Sequence, residues 1–242
     1  LCMMAQGAWA QTEVSTEAEL TAVGNNGGSV KLAGDITLST TLIIKEQKTV
    51  DIDLNGHTLS RGLGDSDGNT GHVIELYKNS TLTITDSSDE GTGTITGGYS
   101  INGGGIYNRG TLYFKGGTIS GNTATERGGG VCNRGVMTMT GGTITDNSAP
   151  DCGGIYNEQN NYYDYIGTLT ISGGTISGNE STEHGGGGIV NYGVMTMTGG
   201  TIHGNTCATN GGGIRTYNEL PVTGGTIPHT LAHGDGRGLD LG

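Results

Sequence analysis

The feature that most constrains this chain is a repeat of about 25 residues, which occurs five times between residues 103 and 230. Each copy contains the motif Gly-Gly-Thr-Ile. The intervals between the isoleucines of successive copies are 25, 32, 26 and 25 residues, and the longest interval contains an insert. These isoleucines are Ile119, Ile144, Ile176, Ile202 and Ile227. A fixed period in this range is the signature of a solenoid, in which each repeat forms one coil.

Within one repeat, apolar and polar residues alternate over three short segments, residues 106–108, 112–114 and 118–120, which glycines separate. Alternation with a period of two predicts strands, and the repeat contains no helical periodicity. The sequence therefore predicts an all-β fold, a parallel β-helix with three strands in each coil. Equivalent residues of successive coils are then stacked at the usual strand spacing of about 4.8 Å.

Stacking the repeats predicts which side chains form the interior. Three columns are apolar in every copy and are predicted to form the core. They are the isoleucines named above, the column Leu112, Met137, Leu169, Met195 and Leu220, and the column Phe114, Met139, Ile171, Met197 and Val222. Two further columns consist of asparagine, and they are Asn108, Asn133, Asn157 and Asn191, and Asn122, Asn147, Asn179 and Asn205. Stacked asparagines are predicted to form hydrogen-bonded ladders along the solenoid.

The chain divides into three parts. Residues 1–10 end in Ala-Trp-Ala, a signal-peptidase pattern, and are interpreted as the remnant of a signal peptide, which predicts a secreted or cell-surface protein. Residues 11–60 are predicted to form an N-terminal cap and the first, irregular coils. The cap is a helix over residues 16–23, with Thr16 as its N-cap and Gly24 at its end. Residues 61–242 are predicted to form the parallel β-helix.

The composition of the chain limits the classes of partner that it is expected to bind. The net charge is −12 and only 14% of the residues are charged, which disfavours nucleic acid and anionic membranes. No apolar run reaches the roughly 20 residues that a membrane span needs, so we expect no membrane insertion. We expect a monomer without a cofactor. Cys132, Cys152 and Cys207 occupy different positions in the repeat and are predicted to remain free thiols.

One acidic segment offers a weak alternative to the absence of a cofactor. Asp65, Asp67 and Asn69 are two residues apart, as in the first half of a calcium loop. The distal glutamate of such a loop is missing, because the twelfth position is Leu76. A plain polar turn is the competing interpretation, and calcium stays a weak candidate.

The insert in the third repeat, residues 158–166, is the first candidate binding site. It places tyrosines beside amide side chains on a loop that leaves the solenoid, and such loops often carry function. Flat rings together with hydrogen-bonding groups are typical of contacts with carbohydrate or protein. The predicted ligand-binding residues are Asn161, Tyr162, Tyr163 and Tyr165, with Tyr107 and Tyr156 on neighbouring strands. The alternative is a loop that packs its tyrosines against the wall.

A second candidate site would make the protein an enzyme. Asp151, Glu183 and His184 fall at one predicted turn, just before the glycine run of each repeat, and differ from coil to coil. Clustered acids with a base are what cleavage of a polysaccharide requires. Solvated turn residues are the competing interpretation, and on that interpretation the protein has no catalytic residues.

Residues 119–131, with the sequence ISGNTATERGGGV, resemble the repeats of polymorphic outer-membrane proteins and of related autotransporter-type β-helix adhesins of bacteria. Those repeats pair an F-x-x-N motif with a G-G-A-[ILV] motif; here isoleucine stands for phenylalanine and glycine for alanine. The resemblance covers residues 93–227 and implies a right-handed β-helix. It also implies a secreted or surface-displayed, non-catalytic adhesin that binds a host or environmental glycan or protein. A β-helix polysaccharide lyase or glycoside hydrolase is the first alternative, and a structural spacer is the second.

Overall fold

The structure, a computed structural model, describes residues 11–63, 70–160, 162, 165–209 and 211–227. These residues form a right-handed parallel β-helix, as predicted. Each strand pairs in parallel with its equivalents in the coils before and after it. Leu112, for example, is opposite both Leu82 and Met137. The repeat is therefore the structural unit, and residues one repeat apart are direct neighbours.

The largest sheet, called sheet I, has fifteen strands in two arms. The first arm consists of β1 (Thr12–Val14), β2 (Gly28–Leu32), β5 (Thr49–Asp53), β8 (Thr81–Thr85), β12 (Thr111–Phe114), β16 (Val136–Met139) and β22 (Thr168–Ile171). The second arm consists of β3 (Ile36–Thr37), β6 (Thr58–Ser60), β9 (Thr94–Thr96), β13 (Thr118–Ser120), β17 (Thr143–Thr145) and β23 (Thr175–Ser177). The long strand β26 (Val194–His203) joins the two arms, and β29 (Val222–Thr226) pairs with β26.

The other two parallel sheets complete each coil. Sheet II consists of β4 (Leu42–Ile44), β7 (Ile74–Leu76), β11 (Ile106–Asn108), β15 (Val131–Asn133), β19 (Ile155–Asn157), β25 (Ile189–Asn191) and β28 (Ile214–Thr216). Sheet III consists of β10 (Tyr99–Asn102), β14 (Thr123–Arg127), β18 (Ser148–Asp151), β24 (Glu180–His184) and β27 (Thr206–Cys207). The insert forms a small antiparallel hairpin, β20 (Gln159–Asn160) with β21 (Tyr165–Ile166).

Sheet III is an addition to the prediction of three strands per coil. Its inward column is small or polar instead of strongly apolar, with Ser100, Ala124, Ala149 and Ser181 in register. Such a column gives no hydrophobic pattern, so these segments resemble turns in the sequence. The consequence for the candidate catalytic residues is direct: Asp151, Glu183 and His184 lie on strands of sheet III and not at a turn.

The predicted core is confirmed. Leu112, Met137, Leu169 and Met195 are fully buried, as are the isoleucines of the second arm from Ile119 to Ile202. At the last repeat the core opens, because Leu220, Val222 and Ile227 are only partly buried. Complete burial of such side chains stabilises the fold by roughly 1.5–3 kcal/mol each.

Both asparagine ladders are present and buried. In the ladder on sheet II, each Nδ2 atom donates to the Oδ1 atom of the next asparagine at 2.7 Å, from Asn108 through Asn133 and Asn157 to Asn191. In the ladder at the corner between sheets I and III, the corresponding distances are 3.0, 2.9 and 2.9 Å, from Asn122 to Asn205. These side-chain amides also form hydrogen bonds with backbone groups. They therefore connect neighbouring coils and provide hydrogen-bond partners for the backbone N–H and C=O groups at the bends.

The N-terminal helix α1 (Glu17–Asn26) has the predicted cap at Thr16, with Glu19 completing a capping box. Its predicted end at Gly24 is wrong, because the helix continues to Asn26 and ends at Gly27, which has a φ of 85°. Gly24 instead allows close packing on β4, since an added Cβ atom would lie 2.4 Å from the Ile43 carbonyl oxygen. The Gly24 carbonyl accepts a hydrogen bond from Lys45, so α1 covers the open edge of sheet II.

Candidate functional site

The outer surface of sheet II, together with the adjoining hairpin and the end of β14, carries most of the tyrosines and arginines of the chain. The ladder asparagines point inward, so the residues immediately before and after each of them point outward. The outward residues and their neighbours form a surface that we call the aromatic–arginine face. Its members are Tyr77, Tyr107, Tyr156, Tyr165, Tyr192, Tyr217, Arg109, Arg127, Arg134 and Arg215.

Rings and guanidinium groups on this face stack against one another. Tyr192 and Tyr217 are nearly parallel, with 4.1 Å between ring centroids, and Tyr192 also contacts Tyr156 at 5.7 Å. The guanidinium carbon of Arg134 lies 5.1 Å from the ring centroids of both Tyr107 and Tyr165. Such contacts fix the side chains in place and keep the rings preorganised.

Glu158 ties the insert to this face. Its carboxylate is buried and accepts hydrogen bonds from Arg134 Nε at 2.5 Å, Arg134 Nη2 at 3.2 Å and the Tyr165 hydroxyl at 2.8 Å. Arg127 Nη1 lies 3.7 Å away. Burial alone would lower the pKa of Arg134, but its hydrogen bonds and charge contact with Glu158 raise it. The hairpin therefore packs on the solenoid through one carboxylate between two arginines.

Four of the phenols of the face are partly or largely buried and stay protonated over the physiological pH range. Burial raises the pKa of Tyr107 to about 12 and also raises the pKa of Tyr156, Tyr165 and Tyr192. His72 stacks on Tyr107 with 5.0 Å between centroids, and burial lowers its pKa. These rings are therefore uncharged at neutral pH.

The structure separates the predicted binding residues by exposure. Tyr162, at the tip of the hairpin, is 86% exposed, whereas Tyr165 is half-buried against Glu158. Tyr156, predicted to face outward and extend the patch, points away from the core but is only 5% exposed, because Arg127, Tyr192 and a small apolar cluster with Cys132 and Cys152 surround it.

Tyr107, also predicted to extend the patch, is partly buried between His72 and Arg134. Asn161 and Tyr163 lie outside the described residues. Among the described members of the predicted set, Tyr162 is thus the most exposed.

The candidate catalytic residues meet on sheet III. Asp151 is paired with Arg127 on one side and with His184 on the other. Burial raises the pKa of Asp151, although His184, Arg127 and Arg215 act in the opposite direction. Glu183 Oε2 lies 3.8 Å from His184 Nδ1, and both side chains are largely exposed. The register thus places Asp151 and His184 on adjacent strands, with Glu183 next to His184 and Arg127 opposite Asp151.

Two further observations concern the described residues alone. They contain no group of three or more His, Cys, Asp or Glu side chains arranged to hold a metal ion. The calcium candidates Asp65, Asp67 and Asn69 lie outside the described residues. Over the same part of the chain, no helix is long and apolar enough to cross a bilayer. Cys132, Cys152 and Cys207 are buried, and none of them is in a disulfide bond within the described part of the chain, as predicted.

Comparison with protein-family models, with curated proteins and with solved structures finds no match to this chain. The structure bears out the coarser part of the resemblance described above, a parallel β-helix built from stacked repeats. The relationship to bacterial surface adhesins is part of the proposal below.

The arginines of the face, together with Tyr77, Tyr192 and Tyr217, were not predicted as site residues. A signal exists in the sequence: the residue after each asparagine of the first ladder is Arg109, Arg134, Glu158 or Tyr192. Every one of these is long or aromatic, whereas other outward columns are mostly threonine and serine. An outward column of long or aromatic residues, next to columns of threonine and serine, therefore identifies the outer surface of sheet II as a candidate site.

Proposed function

We propose that this protein is a non-catalytic binding protein, secreted or displayed on the surface of a bacterium, whose aromatic–arginine face and hairpin tip bind a glycan. The proposal is based on the clustering of tyrosines and arginines on one surface. The face holds six of the ten tyrosines and four of the six arginines of a chain whose net charge is −12. A solenoid core does not need these residues, because its interior is formed by aliphatic columns and asparagine ladders.

The face has the chemistry that sugars require. Tyrosine rings offer flat apolar surfaces to the C–H faces of a sugar, and protonated phenols and guanidinium groups donate hydrogen bonds to its oxygens. Tyr217 is 48% exposed on top of Tyr192, and Arg215 lies 4.9 Å from the Tyr217 ring centroid. Together with Tyr162, Tyr217 is the leading contact residue of the proposal.

The test is a glycan array followed by titration of the best ligand against Tyr162→Ala and Tyr217→Ala. Removing one stacking ring should weaken binding about tenfold, which corresponds to about 1.4 kcal/mol. Tyr113→Ala is the matched control, because Tyr113 is 37% exposed on sheet I, away from the face. Wild-type protein that binds no glycan on a broad array would overturn the proposal; capture of a protein ligand instead would favour the protein-binding form of an adhesin, and complete silence would favour a spacer.

An enzyme remains the second candidate because of one observation, the register that places Asp151 beside His184. A lyase or hydrolase would release unsaturated or reducing products from a polysaccharide. Activity that disappears in both Asp151→Asn and His184→Ala would establish this alternative, and a panel of polysaccharides left uncut would remove it.

A further inference from the structure

The charged side chains of the aromatic–arginine face and the adjoining Asp151 form a series in which the sign of the charge alternates. The carboxylate of Glu158 accepts two hydrogen bonds from Arg134 and lies 3.7 Å from Nη1 of Arg127. Arg127 is also opposite Asp151 in the register of sheet III, and the charges of Arg127 and Arg215 both act to lower the pKa of Asp151 against the effect of its burial. The order across the face is therefore Arg134, Glu158, Arg127, Asp151 and Arg215, with two carboxylates between three arginines.

Two glycines in the coil between Asp151 and Arg215 allow these side chains to approach each other. A Cβ atom on Gly185, which has a φ of 104°, would collide with Oδ1 of Asp151. A Cβ atom on Gly186 would lie 3.3 Å from Cβ of Arg215. Consecutive residues of one coil thus contact Asp151 in the coil before and Arg215 in the coil after. The series is continuous because neither of these two positions carries a side chain.

Arg215 is the end of the series that can take a further anion. The other three arginines of the face each have a carboxylate oxygen within 3.7 Å. In the described part of the chain Arg215 forms no ion pair of this kind, and its guanidinium carbon lies 4.9 Å from the ring centroid of Tyr217. A guanidinium group that lies against a ring keeps the N–H groups at its edge, and these donors can bind an oxyanion through two parallel hydrogen bonds.

We propose that the glycan bound by the aromatic–arginine face is acidic, and that Arg215 binds a carboxylate or sulfate group on a sugar ring that stacks on Tyr217. The inference rests on the proposed function and names the class of glycan that the same face takes. Tyr217 is 48% exposed and stacks on Tyr192, so its ring is held in place beside the guanidinium group. The acidic group of the sugar continues the alternation of charge as the next member after Arg215.

The net charge of −12 does not prevent an acidic ligand from reaching this end of the face. At physiological ionic strength the Debye length is about 8 Å, so exposed charges on the other walls are largely screened from a ligand that contacts Arg215. The charge of Asp151 is offset by Arg127 and His184 as well as by Arg215. A charge-assisted hydrogen bond is roughly twice as strong as a neutral one, so the contact with Arg215 decides the preference for acidic over neutral sugars.

The test compares acidic oligosaccharides with neutral forms that differ from them only in the acidic group. Calorimetry measures oligogalacturonate against its carboxyl-reduced form, sialylated lactose against lactose, and a sulfated galactan oligosaccharide against its desulfated form. The acidic member of at least one pair should bind at least tenfold more tightly than its neutral form. A preference in the first two pairs assigns a carboxylate as the bound group, and a preference in the third assigns a sulfate.

Substitutions of Arg215 show whether this residue causes the preference. Arg215→Gln removes the guanidinium group and should bring the affinity ratio of the acidic to the neutral form close to one. Arg215→Lys keeps the charge but cannot form two parallel bonds, so it should keep only part of the preference. Lys115→Gln is the matched control, because Lys115 also lies against a tyrosine, 5.8 Å from the ring centroid of Tyr113 on sheet I, and its loss changes the net charge equally. This control should leave the ratio unchanged, and circular dichroism establishes that each variant folds.

The failure of this inference can be told apart from the failure of the proposed function. Equal binding of both members of every pair, or a preference that Arg215→Gln leaves intact, would overturn the inference. In either case, a glycan whose binding is weakened by Tyr217→Ala would leave the proposed function in place. Wild-type protein that binds no glycan, acidic or neutral, would overturn both.

Discussion

The second asparagine ladder allows a quantitative test of what holds the coils together. The side-chain amide of Asn147 takes part in five hydrogen bonds. Its Oδ1 atom accepts from the backbone N and from Nδ2 of Asn122 at 3.1 and 3.0 Å, and its Nδ2 atom donates at 2.9 Å to each of three acceptors, the carbonyls of Ile119 and Thr145 and Oδ1 of Asn179. Asn147→Ala removes all five bonds from a site that is 1% exposed.

The expected loss follows from the value of one buried hydrogen bond. The three acceptors around Nδ2 share its two hydrogens, so the contacts amount to four full bonds, worth about 4 kcal/mol at about 1 kcal/mol net for each. Some partners keep other contacts, since Asn122 Nδ2 still donates to the carbonyls of Ile95 and Ser120. The free energy of unfolding should therefore fall by about 3–4 kcal/mol, a large fraction of the stability of a domain.

The assay is equilibrium unfolding in guanidinium chloride, with amide exchange to locate the loosened coils, because a repeat protein can unfold in parts. Ser172→Ala, at an exposed position of the next coil, is the control and should change the free energy by less than about 0.5 kcal/mol. Asn147→Asp adds a pH test. Its buried carboxylate faces two carbonyls, so its pKa should rise, and its destabilisation should be greater at pH 7 than at pH 4. A loss below about 1 kcal/mol for Asn147→Ala would refute the view that the ladder stabilises the stack.

Three further predictions concern packing, thiols and the hairpin. Gly98→Ala should abolish folding or destabilise strongly in thermal unfolding, because its Cβ would lie 1.8 Å from the Gly104 carbonyl oxygen, whereas Gly34→Ala, with open space around it, should be tolerated. Burial raises the pKa of Cys132 and Cys152, so in a Cys2→Ser background both thiols should resist a thiol reagent until the protein unfolds. The unfolded thiols ionise near pH 8.5, so stability should decline as the pH rises above that value, and Cys132→Ala should flatten the decline measured between pH 7 and 9.5. Glu158→Gln should leave Arg134 without its carboxylate, cost about 2–4 kcal/mol and increase amide exchange at Tyr165 and Ile166, whereas Glu90→Gln at an exposed loop position should change neither.

The parts of the fold that could be predicted are those that every coil repeats. Leu112 and Met137, or Asn108 and Asn133, recur at a fixed interval, so one assumption about stacking places all of them. Sheet III escaped prediction because the side chains that it turns inward, such as Ala124 and Ser181, carry no hydrophobic signal. The end of α1 was misplaced for a related reason: Gly24 is a helix breaker by propensity, but its contact with Ile43 favours a helix that continues past it.

The candidate site was predictable only in part, because its members do not recur. Tyr162 was identified from the insert, which interrupts the repeat visibly. Arg109, Arg134 and Tyr192 occupy one outward column but differ from coil to coil, so no recurring residue type identifies them, and their shared position after a ladder asparagine is the only sequence signal that makes them neighbours. The net charge of −12 was misleading as well, because it gives no sign that four arginines lie on the aromatic–arginine face.

The division between repeated and variable positions has a physical basis. In a solenoid each coil is stabilised by its neighbours, so a substitution that breaks an inward column or a ladder acts on at least two interfaces. An outward side chain contacts water on one side and is free to change as long as the strand is preserved. Variation should accumulate on the outside, and where it introduces arginine and tyrosine instead of threonine it adds chemistry that the stack does not require. Exchanging the outward Arg215 and Tyr217 for threonine should therefore reduce ligand binding while leaving the unfolding midpoint nearly unchanged, whereas Asn147→Ala should lower the midpoint before it alters any contact on the aromatic–arginine face.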